Sequence, residues 1–283
     1  WAQRVMAEAS GVHKRSNPLG TDLATRVASG FVLAAIALAG AWLGGWIAAV
    51  VVYGVVAVVH REWSHLTRTG GSVSLALTVG LAVVLISAAA GYWLLAVALA
   101  FLLAAAGFAL ARNVWAAAGP IYAATLGLGI LAIRLAPEFG LLATIFLFAV
   151  VWTTDSGAFV FGRLIGGPKL WPVLSPNKTW AGSIGGLAAG LLAGVIVLGI
   201  ARLPVNLSAV LVCLILSLIS QVGDLFESWL KRRVGAKDSG AIIPGHGGLM
   251  DRVDGLVFAA GLGAMIGLLH GGAADIAGGL IAW

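Results

Sequence analysis

Apolar stretches separated by short polar or glycine-bearing breaks run along the whole chain, at about residues 26–45, 46–60, 73–90, 92–111, 115–135, 139–162, 181–201, 205–230 and 254–272. Most of them approach the roughly 20 apolar residues that carry a helix across a bilayer core. The pattern predicts an all-α, polytopic integral membrane protein of about nine transmembrane helices. The second stretch is short and meets the first at Gly44 and Gly45, so a merged or re-entrant hairpin is the alternative there. The tail from Gly271 to Trp283 is too short to span again. A division follows: an N-terminal segment 1–25, N-terminal membrane helices 26–138, and a C-terminal membrane region 139–283 that carries the chemistry.

Composition agrees with the pattern. Of 283 residues, 60% are hydrophobic and 10% charged, with 40 glycines and a mean hydropathy of +1.03. A soluble domain carries roughly 25% charged residues, so this chain cannot clothe a water-facing surface. Its single cysteine, Cys213, lies in an apolar run and excludes an internal disulfide or a CxxC zinc site. A buried, inert thiol is expected. The basic opening stretch lacks an apolar core followed by a small-residue cleavage site, so no signal peptide is expected, and the sequence begins at Trp1 rather than Met.

The net charge is +6, which in a soluble protein would raise nucleic acid as a partner. Placing each base on a chain of alternating spans gives another account. With the N-terminus inside, 15 of the 17 Lys and Arg residues fall on the cytoplasmic face, and only Arg134 and Arg202 on the other. That is the positive-inside distribution, so the charge sets topology and no nucleic-acid partner is expected. The spans are rich in Gly and Ala, and Gly182, Gly186 and Gly190 repeat the small-xxx-small spacing that lets helix backbones approach. No internal repeat of the inverted transporter kind is evident.

The first five spans hold almost no ionisable residue in their interiors, whereas the unusual chemistry follows residue 150. Acids within a membrane are costly, so Asp155, Asp224 and Glu227 need a compensating metal ion or basic cluster. The segment from Thr153 to Trp180 closes the sixth span with Asp155 and Ser156. It passes Arg163, Lys169 and Lys178, and enters the seventh span after the turn-forming Ser175, Pro176 and Asn177. Such a loop at a helix N-terminus can hold phosphate. A solvated loop with topology-setting lysines fits the charges as well, but leaves Asp155 unexplained.

A second segment, from Gln221 to Asp254, is more specific. Asp224, Glu227, Ser228 and Lys231 fall at spacings of three and four, one polar face at the end of the eighth span. Lys231, Arg232, Arg233 and Lys237 add positive charge, and Gly245, His246, Gly247 and Gly248 form a turn that a ligand can approach closely. Asp251 and Asp254 stand one turn apart at the start of the ninth span. Headgroup-level salt bridges would also place acids beside bases. Acids from two helices facing a basic, glycine-bearing loop are nonetheless the parts of Mg²⁺-assisted phosphoryl chemistry. His246 is open to a ligand, acid or turn role, and His60, His65 and His270 are expected at the interface.

At this second segment the sequence resembles the phosphatidate cytidylyltransferases, or CDP-diacylglycerol synthases. The resemblance runs without a gap from Ser228 through Lys231, Arg232, Lys237, Asp238, Gly240, Pro244, His246, Gly247, Gly248, Asp251 and Arg252 to Asp254. The DSGA segment at Asp155 and the SPNKTW segment from Ser175 to Trp180 extend it over the C-terminal half. Ala181 departs from the Glu or Gln often found after that Trp.

The resemblance implies an all-helical membrane enzyme that makes CDP-diacylglycerol and pyrophosphate from CTP and phosphatidate, requires Mg²⁺ and forms a homodimer. It implies a bacterial cytoplasmic (inner) membrane protein, surrounded by membrane lipids, with its site facing the cytoplasm. Asp224 and Asp251 match the positions that hold the metal, with Asp155, Asp238 and Asp254 as additional metal candidates. Lys237 and Arg252 join the two acids as catalytic candidates. Ser175, Lys178, Ser228, Lys231, Arg232, His246, Gly247 and Gly248 are the substrate-binding candidates. Two other readings compete: an ion-coupled transporter using Asp155, Asp224 and Glu227 as a cation relay, and a non-catalytic lipid-binding scaffold.

Overall fold

A computed structural model describes residues 18–236, 239–240 and 247–283, with side chains from Ser29 onward. Among the described residues, nine long helices follow one another: α1 (Pro18–Leu43), α2 (Gly45–Leu66), α3 (Gly71–Ala89), α4 (Trp93–Ala111), α5 (Val114–Arg134), α6 (Gly140–Leu164), α7 (Trp180–Ile200), α8 (Leu207–Arg233) and α9 (Met250–Gly271). Eight of them, α2 to α9, are long and apolar enough to cross a membrane, and α1 carries a shorter apolar stretch, Ser29–Leu43. The chain is a polytopic, almost entirely helical membrane protein. Lys237, Asp238 and His246 lie outside the described residues, as does the segment 1–17.

Gly44, at φ 65°, separates α1 from α2. Only a residue without a side chain takes that left-handed turn freely, so the two helices are distinct and not merged. The second span also outruns its apolar stretch. Helix α2 continues through His60, Arg61 and Glu62 to Leu66, because Val52, Val56, Val59, Trp63 and Leu66 keep one buried face at helical spacing. His60 is therefore inside the bundle rather than at the interface, with its Nδ1 2.8 Å from Thr78 Oγ1 on α3. His65 is exposed, and His270 stacks on Trp283 at 3.8 Å.

The segment between α6 and α7 is not a plain loop. It forms an antiparallel hairpin of β1 (Lys169–Trp171) and β2 (Ser175–Thr179), with Lys169 opposite Thr179 and Trp171 opposite Ser175. Ser175, Pro176 and Asn177, expected in a turn, lie in β2. The turn sits one step earlier, where Leu174 N–H donates to Trp171 O at 3.2 Å and Pro172 fits its second position. Thr179 then caps α7, its hydroxyl accepting from Gly182 N–H at 3.1 Å.

Helices α6 and α7 form the most extensive pair. The small-xxx-small stripe is the reason: Gly182, Gly186, Gly190 and Gly194 are buried, and a Cβ at Gly182 or Gly186 would stand 2.7 Å from the Ala158 or Thr154 carbonyl oxygen of α6. This glycine face is used inside the protomer. Polar contacts tie each of these two helices to α8, Thr154 of α6 to Ser217 at 2.7 Å and Ser183 of α7 to Gln221 at 2.5 Å. Helix α9 packs on α5, α8 and the short closing helix α10 (Ile276–Ile281). Cys213 is free and fully buried, as expected.

Candidate functional site

The loop after α2 meets the loop after α4 where Asn113 Nδ2 donates to Thr67 O at 3.4 Å. The ends of α6 and α8 and the starts of α7 and α9 gather at the same end of the bundle. There the acids and bases of the second half converge. Asp155 of α6, Asp224, Glu227 and Lys231 of α8, and Asp251, Arg252 and Asp254 of α9 line one cavity of about 240 Å³. Two residue spacings make this possible: the i, i+3 and i, i+7 positions of α8 face the i, i+3 positions of α9.

Lysines bridge the carboxylates. Lys178 Nζ, reaching in from β2, lies 2.5 Å from Asp224 Oδ2. Lys231 Nζ donates to Glu227 Oε2 at 3.1 Å and to Asp251 Oδ1 at 2.7 Å, joining α8 to α9. The other Asp251 oxygen accepts from the backbone N–H of Gly248 at 3.0 Å and of Ser239 at 3.3 Å. Asp254 is buried and takes the N–H of Gly255 at 2.8 Å. Glu227 Oε1 is buried without a hydrogen-bond partner, so one hard oxygen at the cavity is unsatisfied.

Among the described residues, no three or more His, Cys, Asp and Glu side chains converge as a ready-made metal cage. The arrangement is instead a set of separate carboxylates around a space. Mg²⁺ keeps most of its waters and takes one or two protein carboxylates plus substrate phosphates, so a full protein cage is not what it needs.

Behind the cavity wall an aromatic cluster fixes α8. Phe226 packs on Trp63, Tyr122, Trp229 and Phe258 with ring centroids 5.3 to 6.4 Å apart. A second, apolar cleft of about 410 Å³ opens beside the cavity and shares Asp155 and Arg252 with it. It runs along α6 from Ser156 past Trp152 and Phe148 to Thr144, and ends near Arg134. At 1.5 Å per residue that path is roughly 18 Å long.

The family profile described as "Cytidylyltransferase family" matches residues 24–269. A phosphatidate cytidylyltransferase of Brucella suis biovar 1 (strain 1330) is 38% identical over 256 residues, covering 88% of this chain and 94% of that protein. The chain belongs to the cytidylyltransferase family. Similarity within this family is higher over a shorter stretch in the phosphatidate cytidylyltransferase of Staphylococcus haemolyticus (strain JCSC1435), 47% over 133 residues, or 47% of this chain and 51% of that one. The Staphylococcus aureus (strain COL) protein of the same name is 39% identical over 190 residues, 64% of this chain and 73% of its own.

Of the residues singled out from the sequence of this cytidylyltransferase-family member, Asp155, Asp224, Lys231, Asp251, Arg252 and Asp254 line the cavity. Lys178 touches it through Asp224, and Gly248 through Asp251. Ser175 and Ser228 are half-buried and Arg232 is exposed, and none of the three lines the cavity. Gly247, at φ 83°, has the left-handed backbone that the turn requires.

The sequence reading passed over Glu62. This acid is 3% exposed and accepts from Leu249 N–H at 2.9 Å and Met250 N–H at 2.7 Å, where α9 begins. Its signal was present: position 62 falls on the buried stripe between Val59 and Leu66. An acid on the apolar face of a helix demands a partner.

Proposed function

We propose that this protein is a CTP:phosphatidate cytidylyltransferase of phospholipid biosynthesis, embedded in a bacterial cytoplasmic membrane with its N-terminus and site on the cytoplasmic face. The observation that carries the reading is the pairing of a carboxylate- and lysine-lined cavity with an apolar cleft through Asp155 and Arg252. A nucleoside triphosphate and a lipid phosphate are the two ligands that such a junction accommodates, one through its charges and one through its tails. The names of the relatives support the same substrates.

Phosphatidate's phosphomonoester is anionic near neutral pH and needs no strong base to attack. One of its oxygens bonds to the α-phosphorus of CTP as the bond from that phosphorus to the bridging oxygen breaks, and pyrophosphate leaves with that oxygen and its electron pair. The residues' task is alignment and charge neutralisation. Asp224 and Asp251 would hold Mg²⁺, with Asp155, Asp254 and the unsatisfied Glu227 oxygen as further hard donors at the same cavity. Bound Mg²⁺ supplies Lewis-acid stabilisation of the phosphate oxygens. Lys178 and Lys231, which sit on these carboxylates, are within reach of the same space and would neutralise the nucleotide phosphates, and Arg252 would take the lipid phosphate at the mouth of the cleft. Positive loops on the cytoplasmic face draw both anions in.

The test is direct. Purified protein in phosphatidate-containing micelles, given labelled CTP and Mg²⁺, is expected to form a CDP-lipid and release pyrophosphate. Cation flux in vesicles without any CDP-lipid would select the transporter reading instead. The expected homodimer is checked by mass photometry in nanodiscs.

A further inference from the structure

The glycine-rich segment and α9 are placed by a residue from the other half of the chain. Glu62, on α2, spends both carboxylate oxygens on them. Oε1 accepts from Leu249 N–H at 2.9 Å, and Oε2 accepts from Met250 N–H at 2.7 Å and faces Ser239 Oγ at 3.4 Å. The first amides of a helix have no partner within it, and a carboxylate there also meets the positive end of the helix dipole. Glu62 thus caps α9 from 187 residues away, a function that Leu249, itself the N-cap residue, cannot perform because its side chain makes no capping hydrogen bond.

The glycines of the same segment are shaped to this carboxylate. A Cβ at Gly240 would lie 2.9 Å from Glu62 Oε1, and a Cβ at Gly248 would lie 2.7 Å from Oε2. Both sides of the signature segment therefore close on Glu62. On the cavity side they close on Asp251, whose Oδ2 accepts from Ser239 N–H and Gly248 N–H. The two carboxylates hold neighbouring stretches of the same backbone, Glu62 from α2 and Asp251 from the cavity.

We infer that Glu62 is a positioning residue for the transfer reaction, setting the direction of Asp251 and Arg252 by holding Ser239 against the first turn of α9. The inference rests on the reading of this cavity as the nucleotidyl-transfer site. Outer partners of metal-holding side chains typically influence affinity or rate about 10- to 100-fold when removed. Glu62→Gln keeps the size but turns one of the two acceptor atoms into a donor facing a backbone donor. Gly240→Ala keeps Glu62 and displaces its carboxylate.

In both variants, kcat is expected to fall about 10- to 100-fold and the Mg²⁺ concentration for half-maximal rate to rise. Leu216→Ala, a core change far from the loop and matched for thermal stability, is expected to keep kcat within about twofold. Independently of turnover, hydrogen exchange at Leu249 and Met250 is expected to accelerate at least about tenfold in E62Q while the α6 and α7 amides stay protected. Unchanged exchange at those two amides overturns the inference, as does a kcat loss in L216A equal to that in E62Q. If E62Q is not recovered folded, G240A decides by the same readouts. A wild-type protein that makes no CDP-lipid defeats the functional reading, and the exchange experiment still decides the role of Glu62.

Discussion

Asp224 and Asp251 each sit against a lysine, Lys178 in one case and Lys231 in the other, so a single substitution at either position does two things. It removes a hard oxygen from the cavity, and it takes a counter-charge away from a lysine, although Lys231 keeps Glu227. Asp224→Asn and Asp251→Asn are each expected to lower CDP-lipid formation at least about 10³-fold, at saturating Mg²⁺, with the detergent-purified protein still monodisperse. Activity that survives in D224N would remove Asp224 from the metal-holding role. Among the bases, distance from the cavity sets the ranking. Lys231 bridges two acids there, whereas Arg233, one helical step beyond Arg232, is exposed. Lys231→Met is expected to cost at least about tenfold more in kcat/KM than Arg233→Gln. Equal losses would mean that the basic cluster acts as a diffuse field.

For the elements, α6 and α7 supply the clearest case. Their glycine-lined contact holds Asp155 and the hairpin that carries Lys178 on one rigid pair. Gly186→Val drives side-chain atoms into the Thr154 carbonyl, and overpacking of this kind costs about 1 to 3 kcal/mol. The midpoint of thermal unfolding in detergent is expected to drop measurably. Gly199, whose Cβ would meet nothing, should accept Ala with little change. The Gly/Ala-rich composition and the 182–186–190 spacing already implied close helix contact, but not which helix would be the partner. A small-residue face is the same whether a neighbour in the chain or a second protomer fills it. Carbonyl groups of α6 pressed against α7 answer the question here.

At the level of the whole molecule, the cleft and the topology make two further predictions. Ala37→Trp fills the apolar cleft from α1 and is expected to raise KM for long-chain phosphatidate at least about fivefold, with little effect on a short-chain soluble analogue or on KM for CTP. Uniform losses for both lipids would detach the cleft from the substrate tails. Orientation can be read with single cysteines, because the native Cys213 is buried and out of reach of reagents. A cysteine at Val173, 82% exposed at the hairpin, is expected to react only from the cytoplasmic side in oriented vesicles, and one at Val205 only from the opposite side.

The extent of what could be read beforehand differs by residue. Asp224, Glu227, Lys231, Asp251 and Asp254 announced themselves because charge is scarce in a chain this apolar, and helical spacing alone put them on shared faces. Ser175, Pro176 and Asn177 misled, since turn-forming residues also suit a short edge strand beside a turn, and placing the turn one step earlier, at Trp171–Leu174, puts all three in the strand that pairs with Lys169–Trp171. His60 and Glu62 were missed for one reason: the apolar run ends before the helix does. Their burial depends on what packs over α2, and hydropathy along one helix does not carry that information.

By itself, then, the sequence determined the class and the chemistry. Its apolar periodicity requires membrane helices, its rare acids and ordered bases mark the candidate site, and its glycine spacing demands close packing. Only the tertiary structure decided how these parts meet: which helix the glycine stripe grips, how Lys178 comes to lie on Asp224, and that an acid in the second helix holds the start of the ninth. The physical reason lies in the reach of each interaction. Helix formation and membrane partition are settled within a turn or a span of local residues, whereas a buried carboxylate is settled by whichever backbone amides the fold delivers to it from 187 positions away.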